Sequence, residues 1–335
     1  MNGHCLPATH LPGERGESHL KKPELCDDPS RAAELLRAGG LVAFPTETVY
    51  GLGVDATNPA AVARLFAVKG RPADNPLIVH IAELEQLASV ASRVPVIATE
   101  LLRRFAPGPL TVVVPKRPEI VDSVTAGLNS VGVRMPAEPR TRQMLREAGR
   151  PIAAPSANRS GRPSCTTYQS VIEDFGPDID AILLGQPAAI GIESTVVDCL
   201  GEVARILRPG AITLAQLQSV DRRITAAGKA FAAGDNSPGR LHPHYRPQAR
   251  VVLVTAAREA MPDRLAAYLG LDAHPAASNF GWHCEFVSVE GYARAFYEAL
   301  REVDRRGLRT VYCQRVPDGG TGAALSDRLE RAAEC

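Results

Sequence analysis

Two short pairs of residues carry chemistry that a soluble fold alone would not require. Lys69 and Arg71 flank Gly70, and Ser156 and Asn158 flank Ala157. Arginine offers a planar fork to phosphate or carboxylate and lysine a point charge. Pro72 and the Asn75–Pro76 pair stiffen the chain just beyond, so the first pair suits an anionic ligand. Cations at a helix C-terminus also favour its dipole, and the pair by itself leaves both readings open. The second pair stands in a tight turn after Pro155 that continues through Gly161, Arg162, Pro163 and Ser164. Small polar side chains and free N–H groups in such a turn can cradle phosphate, or can satisfy only their own backbone.

These pairs need elements to position them. The apolar run 41–44 is stopped by Pro45 and followed by Thr46, Glu47 and Thr48, a buried strand emptying into a polar turn, which is where ligands meet α/β sheets. Asn58 and Pro59 announce a helix that ends by Gly70, and 77–81 reads as the next strand. In 130–135, alternation puts Ser130, Gly132 and Arg134 on one face and Val131, Val133 and Met135 on the other, so Arg134 faces a polar cleft. The same alternation sets His80 beside Ile78, in the cleft or in a core position, and for a lone histidine the core reading is favoured.

Helices are expected over 29–38, 83–90, 96–105, 139–148 and 168–175, with strands over 110–114, 131–135, 152–154, 182–184, 195–199 and 204–207, a large mixed α/β domain over 26–220. Residues 221–248 read as an irregular linker. Beyond it come a strand (251–254), a helix (260–269), a strand (286–289), a helix (292–305), a strand (310–313) and a final helix (323–333), a small Rossmann-like unit over 249–335 without a GxGxxG loop.

At 335 residues, with 45% hydrophobic and 22% charged content, the chain has room for two domains and a sizeable core. Its net charge of +1 gives no global argument for nucleic acid or membrane, so phosphate binding must come from local cations. Seven cysteines without a CxxC pair argue against a disulfide framework or zinc cluster and for reduced thiols in the cytoplasm, with Cys199 and Cys313 buried at the ends of apolar runs. No apolar stretch of about 18 residues suggests a membrane span. Residues 1–25 lack a signal-peptide core and read as a flexible tail, in which His4, Cys5 and His10 are at most adventitious ligands.

Seven segments occur in a fixed order: PTETVYGLG at 45–53, KGRPADNPLIVHI at 69–81, PGPLT at 107–111, VRMP at 133–136, APSAN at 154–158, ESTVVD at 193–198 and LRPG at 207–210. Each is weak alone, but together they resemble the Sua5/YrdC/YciO family, in its two-domain Sua5 form of L-threonylcarbamoyladenylate synthase. The resemblance is strong over 29–218 and looser beyond. It implies condensation of L-threonine, bicarbonate and ATP to threonylcarbamoyl-AMP and pyrophosphate, for threonylcarbamoylation of a tRNA adenosine. Such a reaction needs positioning and stabilisation of phosphoryl charge, with no covalent nucleophile.

Carried over by position, the resemblance implies a tetrad of Lys69, Arg71, Ser156 and Asn158 at the nucleotide site. Thr48, His80, Arg134 and Ser194 match positions around threonine, and Arg71, Asn75, Ser130, Ser156, Ser164 and Arg208 match positions around ATP. Mg²⁺ is expected to arrive with the triphosphate, and no protein metal site is expected; Glu47 and Glu193 are the nearest carboxylates. The family's SPGMKYRHYAP lid reads SPGRLHPHYRP here (237–247), with Leu241 for lysine and His242 for tyrosine, so Arg240, His242, His244 and Tyr245 are the candidate lid residues. The implied partners are the three small substrates, a downstream tRNA threonylcarbamoyl-transfer complex and at most a weak tRNA contact. Other readings are an RNA-binding module, against which the near-neutral charge argues, and carbamoyl transfer to a different acceptor.

Overall fold

The protein is described by a computed structural model covering residues 22–226 and 244–334. Residues 1–21 of the tail expected over 1–25, and Arg240, Leu241 and His242 of the expected lid, lie outside the described residues, while Glu24 and Leu25 at the end of that expected tail are instead in a strand, because they pair with Ala181 and Ile182.

β1 (Glu24–Cys26) leads into α1 (Pro29–Arg37), which Asp28 caps by accepting from the Ser30 N–H and which buries Ala32, Ala33 and Leu36. β2 (Val42–Phe44) ends at Pro45 as expected, and the polar turn returns antiparallel as β3 (Gly51–Asp55). The sequence reading missed β3 because two of its five residues are glycine, which normally weakens a strand. The reason lies in packing: a Cβ on Gly53 would stand 2.6 Å from the Phe44 ring. α2 (Pro59–Lys69) is capped by Asn58, which accepts from the Ala60 and Ala61 N–H groups, and delivers Lys69 at its last turn.

β4 (Ile78–His80) follows, then a single 3₁₀ turn and the one-turn α3 (Leu87–Val90) where one longer helix was expected. α4 (Val96–Phe105), β5 (Leu110–Pro115), β6 (Ser130–Arg134), α5 (Pro139–Ala148), β7 (Ile152–Ala154) and α6 (Tyr168–Phe175) lie within a residue of their expected spans. β8 (Ala181–Leu183), β9 (Thr195–Asp198), β10 (Arg205–Arg208), α7 (Leu214–Gln218) and β11 (Thr225–Ala226) complete an eleven-stranded mixed sheet ordered β1-β8-β2-β3-β7-β4-β6-β5-β9-β10-β11.

The second sheet holds β12 (Arg250–Val254), β13 (Ala266–Gly270), β14 (Trp282–Glu285) and β15 (Thr310–Gln314), all parallel, in the order β12-β15-β13-β14. α8 (Val289–Arg305) and α9 (Thr321–Ala333) pack against it. Two expectations fail here. The helix expected over 260–269 is instead a loop and β13, whose residues are all buried between β14 and β15, so sheet pairing overrides the helical preference of Ala and Leu. The strand expected over 286–289 lies four residues earlier as β14, because Ser288 accepts from the Gly291 N–H and starts α8 at Val289.

One apolar cluster joins the two units: Val49 and Ile192 from the large unit and Tyr245 from the linker pack with Phe296, Tyr297 and Leu325. Arg301 of α8 reaches across, its Nη1 3.1 Å and Nη2 3.0 Å from the Asp174 carboxylate and Nη2 2.6 Å from the Pro163 carbonyl, with both side chains almost wholly buried. Removing one partner of such a pair costs about 3–5 kcal/mol, because the other charge stays buried. Gly191, at φ +80°, lets the backbone of α8 approach so closely that a Cβ would lie 2.3 Å from the Arg294 carbonyl oxygen. The five described cysteines are buried and free, and no described helix is long and apolar enough to cross a membrane.

Candidate active site

A cleft opens where the 45–51 turn, the ends of β4, β6 and β7, the residues entering β9, the end of β10 and the returning linker meet. Thr48, His80, Arg134, Ser194, Arg71, Ser156, Arg208, His244 and Tyr245, all expected site residues, line it. Sheet register explains much of this. His80 is paired with Arg134 across parallel β4 and β6, and Thr111 of β5 with Arg134 from the other side.

Around Arg134 the turn is prebuilt. The Thr46 hydroxyl accepts from the Thr48 and Val49 N–H groups at 3.1 and 3.2 Å and donates to the Val49 carbonyl at 2.7 Å, folding the turn on itself. Arg134 donates through Nη1 to Thr48 Oγ1 at 2.8 Å and through Nη2 to Glu47 Oε1 at 2.7 Å, and its Nε faces the Gly108 carbonyl at 3.3 Å. The other Glu47 oxygen accepts from the Ala137 N–H at 2.9 Å. Glu47 therefore aims the guanidinium and balances its charge, a role that the sequence reading left open.

His80 is buried, with Nδ1 3.2 Å from the Ile78 carbonyl, and since a carbonyl only accepts, Nδ1 carries the proton. Burial, then the neighbouring Arg134, drives its pKa down to about 3, so the ring is neutral at physiological pH. At the other end, Arg71 is folded over its own loop, with Nε 2.9 Å from the Asn75 carbonyl and Nη2 2.7 Å from both the Asn75 Oδ1 and the Pro76 carbonyl. Asn75 Nδ2 in turn stands 3.4 Å from His244 Nε2. Burial, then Arg71 and Lys69, push His244 down to about 3.

Lys69 does not face the cleft. Its ammonium is buried and donates to the Ser156 carbonyl at 2.7 Å and to the Asn158 carbonyl, bracing the turn from beneath. Burial, then Arg71, lowers its pKa to about 7. Asn158 also works inside the turn: its Oδ1 accepts from the Ser156 hydroxyl at 2.6 Å and its Nδ2 donates to the Arg159 and Arg162 carbonyls. The four expected tetrad residues thus come together, with Arg71 and Ser156 on the cleft wall and Lys69 and Asn158 as the frame behind it. Ser130 is not brought in; it opens β6 opposite Pro115, at the far end of that strand from Arg134, because period-two alternation fixes the face of a residue but not its distance along the strand.

Ser194 closes the wall. Its hydroxyl lies 2.8 Å from Thr111 Oγ1 and accepts from Arg208 Nη2 at 3.2 Å, while its carbonyl accepts from Arg208 Nε and Nη2 at 3.1 and 3.0 Å. Ser164 is buried and donates to Glu193 Oε1 at 2.7 Å. Glu193 Oε2 accepts from Tyr297 of α8 at 2.8 Å and from Arg328 of α9 at 3.1 Å. Burial would raise the Glu193 pKa, but Arg328, Arg208 and the two hydroxyls outweigh it and hold the group ionised. The sequence reading did not find Tyr297 or Arg328. A signal exists: Arg328 falls on the buried stripe Ala324, Leu325, Leu329 and Ala332, where a cation is out of place without a partner. The donor set does not suit a metal, since Glu47 and Glu193 are both committed to arginines and no group of three or more carboxylate, imidazole or thiol side chains among the described residues could hold one.

Comparison with known proteins agrees with the geometry. Residues 34–210 match the Sua5/YciO/YrdC family model, described as "Telomere recombination", and residues 212–334 match a model described as "Threonylcarbamoyl-AMP synthase, C-terminal domain". A threonylcarbamoyl-AMP synthase of Pyrococcus abyssi is 41% identical over 90% of this chain and 92% of its own length, and one of Bacillus subtilis is 39% identical over 91% and 92%. The crystal structure of P. abyssi Sua5 complexed with L-threonine superposes with a TM-score of 0.83 at 39% identity, over 91% of this chain and 94% of that one. From the ordered motifs, the two sheets and these matches together, the chain belongs to the Sua5/YciO/YrdC family, in its two-domain Sua5 form.

Proposed function

We propose that the protein is an L-threonylcarbamoyladenylate synthase, joining L-threonine, bicarbonate and ATP into threonylcarbamoyl-AMP with release of pyrophosphate. The observation that carries this reading is one cleft lined by Arg71, Arg134 and Arg208 together with the hydroxyls of Thr48, Ser156 and Ser194. Arg134, already aimed by Glu47, suits the threonine carboxylate, with Thr48, neutral His80 and Ser194 around the amino and hydroxyl groups. Arg71 and Arg208 suit the triphosphate, with Ser156 at its side and Asn75 and Ser164 holding the frame. The threonine amine forms a C–N bond to bicarbonate carbon with loss of water, giving N-carboxythreonine; one of its carbamate oxygens then attacks the α-phosphorus in line, the bond to the β-phosphate oxygen breaks and pyrophosphate leaves. Fixed cations stabilise the charge that grows on the phosphoryl oxygens, and they need no reorganisation at the moment of reaction.

Mg²⁺ enters this proposal as a companion of the triphosphate, since the chain's own carboxylates are committed elsewhere. His244 and Tyr245, where the linker re-enters over the cleft, are the described part of the proposed lid. A cytoplasmic location and a tRNA threonylcarbamoyl-transfer complex as recipient of the product complete the proposal. Pyrophosphate release should require threonine, bicarbonate and ATP together. Release that continues without threonine defeats the reading.

A further inference from the structure

We propose that Tyr297 and Arg328 of the small domain are positioning residues for the cleft, acting through Glu193 to set Ser164, Ser194 and Arg208. The proposal rests on the synthase reading and gives the small domain a part in it. Glu193 lines the cleft and immediately precedes Ser194. One of its oxygens holds the buried Ser164 hydroxyl of the large unit, and the other is gripped from the small domain by the Tyr297 hydroxyl and Arg328 Nε. Arg328 does more than neutralise it. Its Nη1 donates to the Pro209 carbonyl at 2.9 Å, so one guanidinium ties the residue before Ser194 to the residue after Arg208. Those two neighbours are themselves linked by the Arg208 donations to the Ser194 carbonyl and hydroxyl. A single buried side chain therefore sets the spacing of two adjacent pieces of cleft wall.

The charges are arranged to one end. Without Arg328, the Glu193 carboxylate would stand uncompensated beside Arg208 and draw that arginine away from an anionic ligand. With Arg328 and Tyr297 in place, both Glu193 oxygens are occupied, and Arg208 donates to the Ser194 carbonyl. Arg328 is wholly buried and its Nη2 has no hydrogen-bond partner among the described residues. Asp327, 2.8 Å from Nη1, and the Tyr245 ring, 6.0 Å from the guanidinium carbon, are its other neighbours, and Tyr245 itself lines the cleft. The apolar cluster through Val49, Ile192 and Tyr245 holds the interface without Arg328.

The test compares Tyr297→Phe, Arg328→Met and Arg328→Met combined with Glu193→Gln in the full chain. Its readouts are the thermal transition, ATP affinity by calorimetry and kcat for threonine-dependent pyrophosphate release. Tyr297→Phe should keep its fold and weaken ATP about tenfold or more, the loss expected for one hydrogen bond to a charged group. Arg328→Met should weaken ATP by about a hundredfold or more, and adding Glu193→Gln should recover to within about tenfold of the parent protein, because the uncompensated charge is gone. A folded Arg328→Met with unchanged ATP affinity and kcat overturns the proposal, as does a folded double variant no better than Arg328→Met. Should Arg328→Met not fold, Tyr297→Phe decides, and unchanged ATP affinity there overturns it. A parent protein that binds ATP but releases no threonine-dependent pyrophosphate defeats the synthase reading alone, since ATP affinity still decides the coupling.

Discussion

The cleft of the large sheet and the C-terminal end of the small parallel sheet are comparable places that have been finished differently. Both gather polar side chains where strands end, the usual position for a ligand in α/β proteins. At the small sheet the position is filled by Gln314. Its Oε1 accepts from the Leu271 and Asp272 N–H groups at 2.9 Å and from the Tyr268 hydroxyl at 3.1 Å, and its Nε2 donates to Asp272 Oδ2 at 2.5 Å. Gly270 leaves no room there either, since a Cβ would stand 2.2 Å from the Tyr268 hydroxyl. At the large sheet the polar groups surround open space, and the chain supports them from behind with Lys69, Asn158, Glu47 and Glu193. A fold of nucleotide-binding type is therefore no guide to where a ligand goes; what matters is whether the donors at the strand ends are already spent.

Three substitutions or titrations would break or sharpen that contrast. The largest effect belongs to Arg134→Ala, which removes the fork and leaves Glu47 buried without its partner. Threonine-dependent pyrophosphate release should fall by about 10²-fold or more, with most of the loss in threonine KM. Steady-state kinetics on folded protein checks this, and an unchanged threonine KM would show that the guanidinium serves the turn rather than the ligand. At the plugged sheet, Gln314→Ala should do the reverse. It strands the Leu271 and Asp272 N–H groups, while the Tyr268 hydroxyl keeps the Asp272 carbonyl at 2.8 Å, and should cost about 2–4 kcal/mol in denaturant unfolding, with kcat/KM for threonine unaltered well below the transition. Loss of activity without loss of stability would mean that the small sheet does bind a ligand.

The smallest effect is a slope. His80 and His244 are both held near pKa 3 by burial, whereas unfolded histidine titrates near 6.5. Between those values the unfolded chain binds protons that the folded chain refuses, so their stability contribution is complete above about pH 6.5 and is lost as pH falls towards 3. Each can add at most about 1.4 kcal/mol per pH unit. Denaturant unfolding from pH 7 to 4 should show His244→Ala with a shallower slope than the parent protein, and identical slopes would place the exposed form of His244 in the folded state.

Much of this was open to inspection in the chain itself. The Asn58 cap, the Pro45 stop and the alternation in 130–135 are local, so α2, β2 and the inward face of Arg134 follow from backbone stereochemistry and periodicity. The ordered motifs alone assign Thr48, His80, Arg71, Ser156, Ser194 and Arg208 to one site, and all six line one cleft. What fails locally fails for a stated reason. β3 is glycine-rich because Phe44 lies against it, and β13 reads as helix because its sheet partners are not local: Trp282 of β14 lies 15 positions beyond Ala267 and Thr310 of β15 lies 44 beyond Ala266.

The division of labour inside the site was decided only in three dimensions. Lys69 and Arg71 are two residues apart, yet one is turned under the 156–158 turn and the other lies along the cleft, because α2 ends at Lys69 and Gly70, left-handed at φ +63°, turns the chain before Arg71. Ser130 and Arg134 share a strand face but stand at opposite ends of it. Arg328 reaches Glu193 across 135 positions of chain, and no periodicity or motif carries that information. The residues that touch the proposed ligands were written in short motifs, since local turns present them. Those that hold them in place are paired by packing between distant elements, and only the folded chain brings such pairs together.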